Sequence, residues 1–216
     1  MSNIEQTWDK LLRVRTSGRD DTNADLYRYP YEPTPYCVLE RLANSGLFSK
    51  KDTVVDYSCG KGRAGFFLAY QTKAHVIGIE YDKRIYEKAM ENQACAVSGK
   101  RTEFTLMCAQ EYEVPFEVNR CYFFNPFSVE ILCKVMAKII SSYYEYPREI
   151  LLFFYYPSDE YISYLMTVDE VELFDEIGCG DLFSGNDPRE RIAIFRLSGE
   201  RVRRISKHFP LVGLFT

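Results

Sequence analysis

From residue 53 onward, short apolar bursts alternate with longer segments in which apolar residues recur every three or four positions. The bursts span 53–57, 75–80, 103–108, 120–125, 150–156, 171–177 and 191–197, each of strand length. Between them, 63–71, 83–98, 129–142 and 159–166 have helical periodicity. In the third of these, Ile131, Val135 and Ile139 run at i+4 beside Leu132, Met136 and Ile140, which makes a broad buried stripe. Strands alternating with helices predict right-handed crossovers and a parallel sheet covered on both faces. The last two bursts are joined through 178–188 without a helix, which suits an antiparallel hairpin at one edge. The predicted fold is therefore an α/β three-layer sandwich around a seven-stranded, mostly parallel sheet with an antiparallel strand near one edge.

Upstream of this alternation, 3–14 reads as a helix broken by the cluster Ser17-Gly18-Arg19-Asp20-Asp21. A polar, Tyr-rich stretch follows. Thr34 and Pro35 then restart a helix as N-cap and first helical residue, with Val38, Leu39, Leu42 and Leu47 on its apolar side and a stop at Asn44-Ser45-Gly46. The expected division is an N-terminal helix and Tyr-rich lid over 1–33, the α/β unit over 34–200 and a basic tail over 201–216.

Composition agrees with one well-cored unit. The 216 residues carry 27 Lys and Arg against 31 Asp and Glu, and 46% are hydrophobic, enough for a single core without covalent staples. No stretch longer than about nine residues lacks a charge, whereas a membrane-spanning helix needs roughly 18 apolar positions, so no transmembrane segment is expected. Glu5, Trp8 and Asp9 near the start do not resemble a signal peptide, and a cytoplasmic location is expected. The seven cysteines form an odd, dispersed set without a C-x-x-C pair, which predicts free thiols in a reducing compartment. His75 and His208 lack Cys or His neighbours at ligand spacing, so no metal site is expected, and His75, at the start of a strand, reads as structural. The slightly acidic balance argues against a general nucleic-acid coat. It leaves a local contact for RNA or protein through Arg201, Arg203, Arg204 and Lys207, or simply a solvated basic face.

The candidate chemistry begins at Val54-Val55-Asp56-Tyr57-Ser58-Cys59-Gly60-Lys61-Gly62-Arg63-Ala64-Gly65, a strand end, a glycine loop and a helix start. Gly60, Gly62 and Gly65 complete a G-x-G-x-x-G pattern, which alone suggests a dinucleotide with its pyrophosphate on the helix N-terminus. Two features oppose that ligand. The glycines begin several residues past the apolar strand, and the charge of Asp56 would repel a pyrophosphate. A carboxylate in this position suits a cationic ligand.

Asp56 through Gly62 resembles the D-x-G-x-G-x-G loop of class I S-adenosylmethionine (SAM)-dependent methyltransferases, which have a Rossmann-like fold, and the resemblance extends over 34–197. It implies that Gly60 and Gly62 let the backbone approach the methionine portion and that Asp56 serves the amino group. It implies further that Glu80, closing the second strand, binds the ribose hydroxyls, and that Tyr81 packs on the adenine. Ser58 stands where the family has its first glycine, adding a hydroxyl beside the ligand. The family's acid after the third strand is absent from Cys108-Ala109-Gln110, where Ala109 and Gln110 take the adenine side and Gln110 is the available hydrogen-bonding group.

At the fourth strand, Asn125-Pro126-Phe127 resembles the Asn/Asp-Pro-Pro-aromatic motif of amino-directed methyltransferases, with Phe127 in place of the second proline. The resemblance implies that the Asn125 amide and the Pro126 carbonyl accept N–H hydrogens from a nitrogen acceptor while Phe127 stacks on a flat group. The bland alternative is a strand-to-helix turn with Ser128 as N-cap. Tyr155-Tyr156-Pro157 either walls the acceptor pocket or belongs to the core, and the tyrosines of 27–36 either form a lid or pack as surface cover. The expected function is methyl transfer from SAM to nitrogen. A Rossmann-type oxidoreductase and a non-catalytic SAM-binding protein are the alternatives, and the acceptor molecule and oligomeric state stay open.

Overall fold

A computed structural model describes residues 3–23 and 25–198. Its seven strands are β1 (Thr53–Tyr57), β2 (His75–Glu80), β3 (Thr102–Leu106), β4 (Val118–Phe124), β5 (Leu151–Tyr155), β6 (Val171–Gly178) and β7 (Arg191–Leu197). They form one sheet in the order β3-β2-β1-β4-β5-β7-β6. β1 to β5 pair in parallel, and β7 is antiparallel to both β5 and β6. The expected hairpin is present, but its second strand inserts between β5 and β6, so the antiparallel strand lies one in from the edge. The edge strand β6 carries Asp175 and Glu176 on its exposed run, charges that discourage pairing with another sheet.

Six α-helices, α1 (Asn3–Leu12), α2 (Tyr36–Ala43), α3 (Arg63–Thr72), α4 (Lys83–Cys95), α5 (Val129–Glu145) and α6 (Asp159–Leu165), are joined by three short 3₁₀ turns at Gly99–Arg101, Ala109–Glu111 and Gly180–Leu182. The period-two alternation of the strands divides the core into two layers. Val55, Phe123, Phe154 and Phe195 pack with Ile131, Leu132, Val135 and Met136 of α5 on one face. Their strand neighbours Val54, Tyr122, Phe153 and Ile194 pack with Leu39, Phe66 and Phe67 of α2 and α3 on the other. Leu12 and Val14 belong to that second layer, and the Trp8 ring meets Phe67 edge-on at 4.9 Å.

Local chemistry shifts several expected boundaries. Thr34 does not cap α2. Its hydroxyl pairs with the buried Tyr122 hydroxyl at 2.9 Å, and Glu5 Oε1 instead accepts the Tyr36 N–H at 3.0 Å. α4 ends at Cys95 rather than near 98, because Ala96 turns extended and the Ser98 hydroxyl donates to the Phe66 carbonyl at 2.8 Å. Cys59, Cys121 and Cys179 are buried while Cys95 is exposed, and all seven thiols are free. His75 Nε2 lies 3.4 Å from Glu103 Oε1 at the start of β2. No helix among the described residues is long and apolar enough to cross a membrane. Arg201, Arg203, Arg204 and Lys207 lie outside the described residues.

Candidate active site

The sheet order reverses at β1, whose neighbours β2 and β4 lead to opposite sides, and the crevice beyond its carboxyl end is where open α/β sheets bind ligands. Three strands end there in the same strained way. Ser58 after β1, Asn125 after β4 and Tyr156 after β5 have φ of 57°, 38° and 51°, a left-handed region that non-glycine residues rarely adopt and that concentrates at functional sites. Gly60 and Gly62 follow at φ of 60° and 86°. A Cβ on Gly62 would lie 2.7 Å from both Phe104 and Phe66, so this turn before α3 requires glycine both for its dihedral and for its packing.

Two carboxylates set the electrostatics. Asp56 and Glu80 are each only 4% exposed, and no ion pair neutralises either among the described residues. Burial, then the neighbouring Glu80 charge, pushes the Asp56 carboxyl up to about 8, against a lowering contact from the Gly65 N–H. Burial likewise raises Glu80 to about 7, although it accepts the Gly60 N–H at 3.0 Å and the Asp82 N–H at 2.8 Å. Unpaired buried carboxylates are costly, and a cationic ligand would offset that cost.

Ser58, Glu80 and Tyr81 line a cavity of about 50 Å³ with Pro126, and Ser58 and Tyr81 also line one of about 10 Å³ with Ala109, Gln110 and Phe127. The two lie beside one another along the strand ends, covered by the Tyr-rich segment. The Tyr31 ring comes down on Gly60, where a Cβ would lie 2.1 Å from it, and its hydroxyl donates to the Thr16 carbonyl at 2.5 Å. Tyr81 donates to the Asn23 carbonyl at 2.7 Å, and the Arg28 guanidinium lies 4.8 Å from the Tyr81 ring centre. The cover reaches the Asn125 turn as well: Tyr29 N–H donates to the Pro126 carbonyl at 3.3 Å, and Ser128 N–H to the Tyr27 carbonyl at 2.8 Å. Cofactor pockets are usually some 300 Å³ or more, so neither cavity, closed over by Arg28, Tyr29 and Tyr31, has room for a nucleoside-sized ligand.

Beyond this cover, Asn125 lines a separate pocket of about 350 Å³ walled by Tyr29, Phe124, Tyr155, Tyr156 and Phe183, with Glu190 at its border. Asn125 Oδ1 is buried and has no hydrogen-bond partner among the described residues. Such an orphaned acceptor is uncommon enough to need an explanation. Phe127 does not face this pocket. It is 2% exposed, packs edge-on to Phe123 at 6.4 Å and lines the small cavity near Gln110 instead. The aromatic residues that line the larger pocket are Tyr29, Phe124, Tyr155, Tyr156 and Phe183. Phe183 and Glu190 were not legible as pocket residues, since they come from the connection before β7, which holds only the short 3₁₀ turn Gly180–Leu182, and β7 sits beside β5.

No protein-family model matches the chain, and no curated protein matches it in sequence. Its fold is similar to that of a dimethyladenosine transferase from Plasmodium falciparum, with a TM-score of 0.54 and 14% identity over 80% of this chain and 66% of that one. It is also similar to an rRNA methylase from Streptococcus thermophilus, with a TM-score of 0.50 and 14% identity over 78% of this chain and 98% of that one. Mitomycin 7-O-methyltransferase MmcR gives a TM-score of 0.56 and 12% identity over 74% of this chain and 53% of that one. The chain thus has the Rossmann-like fold of class I methyltransferases. That fold serves acceptors as different as an adenosine and a mitomycin oxygen, so the acceptor atom has to be argued from the site.

Proposed function

We propose that this protein is a SAM-dependent methyltransferase acting on a nitrogen acceptor. The observation that carries this reading is the set of groups at the carboxyl ends of neighbouring strands: Asp56 and Glu80, buried and without an ion-pair partner among the described residues, on β1 and β2, and Asn125, whose buried Oδ1 has no hydrogen-bond partner there, just after β4. The residues present fit the cofactor: Asp56 serves a cationic amino group, Glu80 faces ribose hydroxyls, Tyr81 packs on a purine and Gln110 offers its amide to the purine edge. SAM, when bound, supplies an electrophilic methyl on a sulfonium. Asn125 Oδ1 accepts an N–H of the acceptor and so aims the nitrogen lone pair, which is a positioning role that needs no general base. The Pro126 carbonyl, which already accepts the Tyr29 N–H, has a second lone pair for another N–H of the acceptor. The closed segment then excludes water around Tyr29 and Tyr31.

The cofactor half is tested by thermal unfolding. SAM and its demethylated product should raise the melting temperature, whereas NAD and NADP should not. The pH dependence has a definite sign. With a folded value of about 8 against an ordinary 3.8, Asp56 holds its proton more tightly in the folded protein, so ligand-free stability falls as pH rises through that window. Binding the cationic cofactor favours the ionised form, so its affinity should rise from pH 6 to pH 8.5. Asp56→Asn should stabilise the ligand-free protein at pH 8 and abolish most of the ligand shift, while Glu80→Ala should weaken it. Unchanged binding isotherms for both folded variants would locate the cofactor elsewhere. The acceptor class is found by incubating the protein with methyl-labelled SAM and cell extract, then digesting with nuclease or protease to see which molecules lose the label.

A further inference from the structure

On the other side of the glycine loop lies an open groove of about 940 Å³ whose lining includes five cations, Lys10, Arg13, Arg15, Lys61 and Lys88, against two carboxylates, Asp9 and Glu91. In a chain of net charge -4 this concentration is a local feature, not the average of the surface. Cations still outnumber carboxylates once the pairs are counted, with Glu91 on the groove wall. Asp9 is engaged by the Thr16 and Ser17 hydroxyls, by Tyr36 and by Arg63, and Lys88 is 3.8 Å from Asp20. Lys10, Arg13 and Arg15 have no side-chain hydrogen bond or ion pair among the described residues.

The groove is built, not incidental. Residues 12–16 alternate buried and exposed, which turns Arg13 and Arg15 outward on one side while Leu12, Val14 and Thr16 face the core. Asn92, itself buried, holds two of the cation-bearing segments together: its Oδ1 accepts the Arg15 N–H at 2.8 Å, and its Nδ2 donates to the Lys61 carbonyl at 3.0 Å. Lys61 is the most telling residue. It is 9% exposed, donates to the Ser17 carbonyl at 2.8 Å and lies 4.8 Å from the Tyr31 ring centre, yet no carboxylate is within ion-pair distance among the described residues. A buried ammonium lacking a counter-ion is held below its usual range, chiefly by burial and then by Lys88, and an anion in the groove would restore it.

We infer that this groove binds the phosphodiester backbone of single-stranded nucleic acid, with a phosphate seated at Lys61 and its neighbours on Arg13 and Arg15. The spread of cations along an open channel suits a string of phosphates better than one isolated anion. The inference goes beyond the methyl-transfer reading and does not depend on it. It does give that reading a physical link, because Lys61 lies between Gly60 and Gly62 of the cofactor loop and also meets Tyr31 of the cover.

The test is fluorescence anisotropy of the full chain with a fluorescein-labelled, unstructured 15-nucleotide RNA over a salt series. Wild-type protein should bind, and Arg13→Glu with Arg15→Glu should weaken binding at least tenfold and flatten the log–log salt slope by about 1.4, at about 0.7 for each phosphate no longer neutralised. Lys50→Glu with Lys51→Glu, an equal charge change on exposed residues before β1, should leave affinity within about twofold of wild type. Binding unaltered in the groove variant, or weakened equally in the control, would overturn the inference. So would absence of wild-type binding at low salt, full displacement by millimolar inorganic phosphate, or equal displacement by poly-glutamate, which would indicate an acidic protein partner. A thermal shift with the demethylated cofactor, run on each variant, reports the fold and the cofactor site separately. Loss of RNA binding with that shift intact removes the groove contact alone, and RNA binding with no cofactor shift removes the methyltransferase reading alone.

Discussion

Asn125→Ala should lower methyl turnover by about 100-fold, a loss of roughly 3 kcal/mol in transition-state positioning, while SAM affinity stays within a few-fold. The orphaned Oδ1 motivates this size of effect: it is a buried acceptor with no hydrogen-bond partner among the described residues, so an N–H that reaches it satisfies a group otherwise left unpaired. Alanine also disfavours the left-handed φ of 38° at this position. Asn125→Gly separates the two contributions, since glycine tolerates the dihedral and still removes the amide. It should lose turnover to the same extent. Asn125→Asp keeps an acceptor oxygen at the same reach and should retain part of the activity. The measurement is initial rate on the acceptor identified by methyl labelling, alongside cofactor binding by calorimetry. Wild-type turnover in a folded Asn125→Gly protein would remove the amide from the mechanism and leave oxygen, sulfur and carbon acceptors equally open.

Arg63→Ala should cost about 3–5 kcal/mol of folding stability, the usual consequence of stripping one partner from a buried ion pair. Arg63, the first residue of α3, reaches back across the N-terminal segment. Its guanidinium pairs with Glu5 and approaches Asp9 at 3.8 Å, with side-chain exposures of 4%, 19% and 13% for the three residues. It also donates to the Thr16 hydroxyl at 2.7 Å and the Ser17 hydroxyl at 3.2 Å, and lies 4.4 Å from the Tyr36 ring centre. These contacts anchor the chain on both sides of the cover, so the destabilisation should appear as a lower urea midpoint. Adding Glu5→Gln and Asp9→Asn should recover part of it by removing the stranded charges. A cost below about 1 kcal/mol would show that solvent reaches the network freely. Because the same contacts hold the ends of 17–34, the variant should also admit the cofactor faster.

Much of this molecule is legible in its one-dimensional pattern because the signals are local. The strands over 53–57, 75–80 and 191–197 are predicted with their observed bounds, and the α5 stripe of Ile131, Val135 and Ile139 faces the core as expected. The order of a strand end, an acid, a glycine turn and a helix is written in consecutive residues, so Asp56, Gly60 and Gly62 are readable as a loop before any contact is known. Thr34 misleads because its preference for an N-cap is also local, and the partner that wins its hydroxyl, Tyr122, is 88 residues away. The direction of the Phe127 ring is not legible, because a sequence motif does not say which way a ring turns after a strand. Here the ring packs edge-on to Phe123 and lines the small cavity near Gln110, while the Tyr161 hydroxyl holds the Phe127 carbonyl at 2.5 Å.

The α/β alternation, the parallel core with its antiparallel hairpin, and the acids and glycines at the strand ends are all written in the order of residues along the chain. Each of these follows from side-chain period and backbone freedom within a few residues. Tertiary structure decided the rest: the closing of Tyr31 onto Gly60, the absence, among the described residues, of any cation to neutralise Asp56 and Glu80, the orphaned oxygen of Asn125, and the convergence of Lys10, Arg13, Arg15, Lys61 and Lys88 on one groove. These properties depend on which distant groups share a low-dielectric space or are kept out of it. Burial and Coulomb energy act through distance in space, whatever the separation along the chain.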